Sequence, residues 1–405
     1  MKRIENKVII WSVDDFNTLG LLRELGPFNL DVFFLIKGKA NFAAKSKFCR
    51  SYVETETIEE GFLYLKKCNS DKNKKAIVII ADDEIATFTD LNREELTENC
   101  ILPITKEKGL LVKFTDKNAM TALAEKIGIL CPKSCFAKWD SDLNGIEYPC
   151  IIKPSHQRHG HYNEFKIRIC KNEKTLKHTL KYVHHDSEFI IQQCIPKDRD
   201  VLVYGGRMAD GKTILAGAMI RDRMADSGSF SHGLMTAKIP ESVDTTKIIR
   251  FLETIDYYGL FSFEYGMEFS FEYGMVGDKA YFFEVNLRND GTSDYFNQAG
   301  ANIPLAYVYS CAGLDYSDIS TTVEEDAWFI DEVFDYENVL KRVISKKQWR
   351  EDKFAATIFK YYNKNDLEPY NMVYKTRHKQ MAKDFILRKY RLYIVNVLDK
   401  FGLKK

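Results

Sequence analysis

Four residues in the second half of the chain have the chemistry of a metal and phosphoryl site: Glu272, Glu284, Asn286 and Arg288. Gly277-Asp278-Lys279 reads as the turn of a β-hairpin. A hairpin centred on Asp278 sets Glu272 opposite Glu284 and Ser270 opposite Asn286, and period-two alternation keeps Glu284, Asn286 and Arg288 on one face. Opposed carboxylates repel, so the arrangement makes sense around a hard cation, and magnesium favours such oxygen ligands. An exposed polar sheet face is the other reading. The same stretch carries a tandem duplication: Phe261 to Glu268 (FSFEYGME) is followed by Phe269 to Val276 (FSFEYGMV), with seven of eight positions repeated. On a straight strand Glu264 lies ~26 Å further along than Glu272, so Glu272 is the expected partner of Glu284.

Cations come next. The apolar run Tyr148 to Pro154 ends on Lys153, and Lys166 sits in a second short strand, Phe165 to Cys170, beyond a polar loop at 155–164. Two cations on adjacent strands beneath a loop suit a polyphosphate, whereas each lysine taken singly reads as a snorkelling surface residue. Glu188 to Pro196 is an apolar strand that ends at a proline. A linker of this type offers backbone groups and the Gln192 and Gln193 amides to an adenine edge, with Asp198 or Asp200 reaching ribose hydroxyls. Arg221 and Arg223, after the strand Thr213 to Ile220, suit a bidentate grip on a carboxylate; surface cations are the alternative. Gly206 to Thr213 (GRMADGKT) satisfies the P-loop pattern letter for letter. A P-loop needs a buried strand before it and a helix after it. Val201 to Met208 and Thr213 to Ile220 read better as two strands joined through Asp210-Gly211.

The elements that must position these residues fall into three parts. The first third alternates strand and helix signals (Val8 to Val13, Thr18 to Leu25, Leu30 to Ile36, Ala76 to Ala81), which predicts a parallel sheet covered by helices. Its first turn, Ser12 to Gly20, lacks the glycine fingerprint of a dinucleotide site. A helix is expected over Asp116 to Ile127, opened by Thr115-Asp116 and closed by Gly128. Strands dominate from Tyr148 to about Leu314, and after Asp326 the pattern turns helical and basic, with Pro369 breaking it. A chain of 405 residues exceeds one ordinary core. Its 59 Lys and Arg nearly balance 58 Asp and Glu, which gives no reason to expect a nucleic-acid partner. The charged start lacks the pattern of a signal peptide, no apolar run approaches the roughly 20 residues of a membrane span, and the scattered cysteines suit a reducing compartment. A cytoplasmic protein is expected. Cys131 and Cys135 lack the second pair that a zinc site needs.

Taken in order, these segments resemble the ATP-grasp superfamily, in which two α+β subdomains close on ATP. The resemblance rests on the helix ending Leu123 to Ile129, on Ile152-Lys153-Pro154, Lys166 and Gln192 to Pro196, and above all on Phe283-Glu284-Val285-Asn286-Leu287-Arg288. Asn289 to Thr292 and Tyr361 to Pro369 look like the branch that contains D-aspartate ligase and related carboxylate-amine ligases. The resemblance implies an α/β and α+β architecture: an N-terminal Rossmann-like parallel sheet (1–113), an ATP-grasp fold (114–318, lid about 140–195) and a helical, basic C-terminal extension (319–405). It further implies that Lys153 and Lys166 hold phosphates, and that Gln192, Gln193, Ile195 and Asp200 border the nucleotide. Glu272, Glu284 and Asn286 would bind magnesium, and Arg288, with Arg221 and Lys153, would serve the phosphoryl transfer. The activity implied is amide formation from a small carboxylate and a small amine through an acyl phosphate, adding an amino acid to a cell-envelope or glycan precursor. A non-catalytic ATP-binding module that recruits a partner is the alternative. The basic, amphipathic stretch Lys375 to Lys405 suits weak contact with an anionic membrane or, in the plainer reading, packing on the rest of the chain.

Overall fold

The computed structural model describes residues 3–68, 74–138, 140–154, 165, 167–183, 188–195, 199–225, 230–272 and 275–380, with the backbone alone for 269–272 and 275–278. The alternating first third forms five strands: β1 (Lys7–Ser12), β2 (Asp31–Lys37), β3 (Tyr52–Thr55), β4 (Ala76–Ile80) and β5 (Cys100–Ile101). All pair in parallel, in the order β3-β2-β1-β4-β5. Their runs are apolar on both faces because helices cover both. These are α1 (Phe16–Leu25), α2 (Ile58–Lys67), α3 (Asp83–Leu91) and α4 (Arg93–Leu96). Strand order reverses between β1 and β4, which opens a crevice at their carboxyl ends. Asp15 and Asp82 stand there as the N-caps of α1 and α3, accepting the Thr18 and Ile85 backbone N–H groups.

After the short α5 (Leu110–Thr115), α6 (Lys117–Ile127) starts at the Asp116 cap and stops at Gly128, whose φ of +87° suits glycine. A four-stranded antiparallel sheet follows in the segment expected as the lid, hence the lid sheet: β6 (Ser134–Ala137), β7 (Cys150–Pro154), β8 (Arg168–Cys170) and β9 (Phe189–Gln193), in the order β6-β9-β7-β8. Helix α7 (Glu173–Leu180) buries Leu176 and Leu180 against Cys150, Ile152, Phe189 and Ile191 on one face of this sheet.

The central sheet has seven strands. They are β10 (Arg199–Arg207), β11 (Thr213–Met224), β12 (Phe230–Thr236), β13 (Gly259–Glu272), β14 (Met275–Asn286), β15 (Ala327–Ile330) and β16 (Ile358–Phe359), in the order β14-β13-β10-β11-β12-β15-β16. Phe261, Phe263 and Phe282 pack on α6 and on α8 (Thr245–Ile255), whose Phe251 meets Phe263 and Phe282 ring against ring. The opposite face rests on α9 (Ser293–Gln298), α10 (Ile303–Cys311) and α1, so one core runs from the N-terminal sheet to Ile358.

One sequence expectation is borne out here and two change. Gly206 to Thr213 is no P-loop: β10 and β11 are antiparallel, Arg207 pairs with Thr213, and Gly211 takes a φ of +88° in the connecting turn. The region after Asp326 is not helical throughout. α11 (Tyr336–Leu340) and α12 (Lys346–Ala355) lie between β15 and β16, because the apolar Trp328-Phe329-Ile330 run pairs with β12 and β16 closes the sheet beyond it. Pro369 does not break a helix; it lies in the first turn of the helix at 367–380, where its missing N–H costs nothing. Buried Arg23 fixes the approach to that helix through the Asp366 carboxylate at 3.0 Å and the Tyr361 carbonyl at 2.8 Å. Among the described residues no helix is long and apolar enough to cross a membrane. Residues 381–405, most of the basic stretch, lie outside the described residues.

Candidate active site

The expected hairpin register is overturned. Glu264 stands opposite Glu284, and Ser262 opposite Asn286, while Glu272 pairs with Met275 at the far end. The reason is a third strand. β13 pairs with β10 from Gly259 to Met267, so the first copy of the duplication is locked into the sheet, with Phe263 and Tyr265 in the core. The second copy extends beyond that pairing, and β14 runs straight through Gly277-Asp278-Lys279 instead of turning there. A β-bulge beside Glu284, where Phe283 has no opposite number, keeps Glu264 and Glu284 face to face.

Glu264, Glu284, Ser262 and Asn286 share the sheet face that looks away from α6 and α8. Arg221 from β11 donates Nη2 to Glu264 Oε2 at 2.8 Å. Burial raises the Glu264 pKa above its ordinary value; Arg221 pulls it back, and Glu284 and Asp290 push it further. Glu284 meets Lys117, from the start of α6, at 3.3 Å. The Asn286 amide donates to Ser262 Oγ at 3.1 Å, and Ser262 donates to Asp290 Oδ2 at 3.0 Å. Two facing carboxylates and an amide suit a cation that completes its shell with phosphate oxygens and water, as magnesium does. Among the described residues there is no cluster of three or more His, Cys, Asp or Glu of the kind that forms an all-protein metal cage.

Lys153, near the end of β7, carries the lid sheet's cation to this group. Its Nζ donates to Gln192 Oε1 at 3.0 Å, and burial, then the charge of Lys117, push its pKa down to about 8 against the pull of Glu284. Strand alternation separates the two glutamines. Gln192 shares the face of Lys153, whereas Gln193 points to the α7 side opposite Cys150, and its backbone N–H is used by the Lys133 carbonyl at 2.8 Å. Ile195 is buried just beyond. Apart from Ser134 opposite Gln192, the rest of the described Lys153 face is apolar: Ile151 and Ile190, with Phe136 and Ile169 exposed. Lys166, the polar loop at 155–164, Asp198 and the Glu272 side chain lie outside the described residues.

On the other side of Glu264 a cleft of about 350 Å³ opens toward the crevice of the parallel sheet, lined by Arg221, Phe230, Arg288, Asp290, Asp15 and Asp82 among others. Arg221 lies face-on to the Phe230 ring, 3.2 Å from its centroid, and its Nε and Nη1 have no hydrogen-bond partner among the described residues. Asp200 pairs with it across β10 and β11. Arg223 does not join the site; Asp335 and Asp352 hold it at 3.1 and 2.7 Å, tying β11 to the C-terminal elements. Arg288 does reach the cleft, gripped by both oxygens of Asp83 at 2.6 and 2.9 Å. Burial opposes its charge, yet Asp83 carries its pKa above the ordinary arginine value. Sequence reasoning missed Lys117, Asp15, Asp82 and Asp83. The cap pattern of Asp15 and Asp82 was visible as an aspartate after each apolar strand.

No family model matches the chain. D-aspartate ligase of Enterococcus faecium (strain Aus0004) is 22% identical over 273 residues, a match covering 61% of this chain and 61% of that one. The matched part thus spans about three-fifths of that relative's length. Among solved structures, N5-carboxyaminoimidazole synthetase from Staphylococcus aureus, complexed with ADP, superposes with a TM-score of 0.63 at 12% identity, over 87% of this chain and 88% of the other. L-amino acid ligase from Bacillus licheniformis gives a TM-score of 0.59 at 14% identity, over 81% and 80%. The chain has the ATP-grasp fold. Within that ATP-grasp fold the lid sheet and the central sheet meet where Lys153, Lys117 and Glu284 interact, and the cleft lies on the far side of Glu264.

Proposed function

We propose that the chain is an ATP- and magnesium-dependent carboxylate-amine ligase acting on a small carboxylate and a small amine, one of them an amino acid. The observation that carries this reading is the continuous line of charge Lys153, Glu284, Glu264, Arg221, running from the open face of the lid to a small-molecule cleft. The D-aspartate ligase and L-amino acid ligase similarities support it. In this reading the apolar lid face takes the adenine ring, the Gln192 amide its polar edge, and Lys153 with Lys166 the phosphates. Glu264, Glu284 and Asn286 hold magnesium, which when bound neutralises charge on the phosphates; Glu264 takes the place expected of Glu272. A carboxylate oxygen held by Arg221 attacks the γ-phosphorus, the bond to the ADP oxygen breaks, and an acyl phosphate forms. The amine nitrogen then attacks the acyl carbon, inorganic phosphate leaves, and the nitrogen gives up a proton. Arg288 serves the phosphoryl group once its Asp83 contact is exchanged for the substrate's charge.

The proposal includes the division at 1–113, 114–318 and 319–405 and a cytoplasmic setting, with a cell-envelope precursor as the amine partner. Release of ADP and phosphate across a panel of D- and L-amino acids, each with and without amine-bearing cell-envelope or glycan precursors, tests the activity. ADP that forms only with carboxylate, amine and magnesium together is the expected result. ATP binding without turnover across the whole panel would instead favour a module that binds ATP and recruits a partner.

A further inference from the structure

The cleft beyond Glu264 has two walls of opposite sign, and phosphoryl transfer accounts for one of them. Arg221 stands on the first, its side chain 2% exposed, with Nη2 donating to Glu264 and the nitrogens Nε and Nη1 unpartnered among the described residues. A buried guanidinium with free donors calls for an anion. Asp15 and Asp82 stand on the second wall, at the carboxyl ends of the two middle strands of the parallel sheet. Asp83 beside them is already matched by Arg288. Asp15 is not matched in this way. Its Oδ1 caps α1 through Thr18, which leaves further lone pairs of the carboxylate to accept from a ligand.

We propose that Asp15 receives the ammonium group of an amino-acid substrate whose anionic end is held by Arg221, so that the cleft selects a dipolar molecule. This rests on the cleft being the substrate site. A dianion lacking the amine meets the field of Asp15 and Asp82, and a simple amine leaves Arg221 unanswered; a dipolar ligand satisfies both walls. The groups facing Asp15 are Arg288 from the segment after β14, Asp82 from the turn after β4, and the Tyr361 phenol from the C-terminal segment. Burial, opposed by the Thr18 and Asn17 N–H groups and by Arg288 and assisted by Asp82, pushes the Asp15 pKa up to about 6. A bound cation reverses that shift, so ammonium binding weakens as pH falls through this value.

Asp15→Asn separates charge from fold, because asparagine caps a helix as well as aspartate does. Calorimetric binding to the full chain is measured for D-aspartate and its deaminated counterpart succinate, then for each other panel amino acid and its own counterpart. The wild type is expected to prefer the amino form at least ~10-fold, or ~1.4 kcal/mol, with the preference fading below pH 6. In D15N that preference disappears, as the amino form binds more weakly and succinate is relieved of the Asp15 charge, at an unchanged melting temperature. A preference that survives in D15N overturns the assignment of Asp15 while leaving the ligase reading intact. Failure of the wild type to bind any panel compound overturns the cleft as a substrate site, and this inference with it.

Discussion

The lid sheet and the central sheet meet at Lys153 and Glu284, but their open faces are furnished differently. The lid face is apolar, with Phe136 and Ile169 left exposed and Lys153 as its one described cation. On the central face almost every polar group is answered by another: Glu264 by Arg221, Glu284 by Lys117, Asn286 and Asp290 by Ser262. An apolar plate with little polar chemistry recognises shape and tolerates substitution. A paired network holds its members in fixed geometry, and removing one leaves a partner stranded. Chemistry should therefore fail at the central sheet, and affinity should weaken at the lid.

The sharpest test of that division is Glu264→Gln beside Glu284→Gln. Each is expected to lower kcat by ~100-fold or more, read as ADP release at saturating ATP; wild-type rates in either would remove the metal hairpin from the mechanism. Arg221→Ala comes next, raising KM for the carboxylate by ~30-fold with a smaller change in KM for ATP. Lys153 supplies a pH test. Its pKa of about 8 lies below that of an ordinary lysine, so the cation is complete below pH 8 and is lost above it. ATP binding should weaken between pH 7.5 and 9, and Lys153→Arg, which stays charged, should flatten that profile as measured by nucleotide titration. On the lid, Phe136→Ser should raise KM for ATP only ~3-fold and leave kcat unchanged. Smallest of all, removing residues 269–276 should alter turnover less than ~2-fold, because Gly277-Asp278-Lys279 then closes the hairpin and Glu264 keeps its place opposite Glu284.

Much of this was legible along the chain. Alternating apolar runs in the first third gave the parallel sheet, and Asp116 with Gly128 bracketed α6 as capping rules require. Asp210-Gly211 marked a hairpin where the letters spelled a P-loop. Pairing rules for a single hairpin placed Glu272 opposite Glu284, and they failed because β10, far earlier in the chain, holds the first copy in register. No local pattern carries that information. The same holds for Lys117 against Glu284 and for Asp83 against Arg288, contacts made between elements far apart in sequence. Gln192 and Gln193 show the opposite case: strand periodicity alone sends neighbours to different faces, and the expectation that both border the nucleotide overlooked it.

The duplicated stretch has one more consequence. Its period is eight, an even number, so sliding β14 by one whole copy replaces Glu264 with Glu272 and turns no side chain over. An odd period would have driven phenylalanines to the polar face and glutamates into the core. The hairpin is thus measured from its open end, where β10 anchors it, and its closed end is free to grow or shrink by whole copies. Length became variable there without the chemistry at the base having to move.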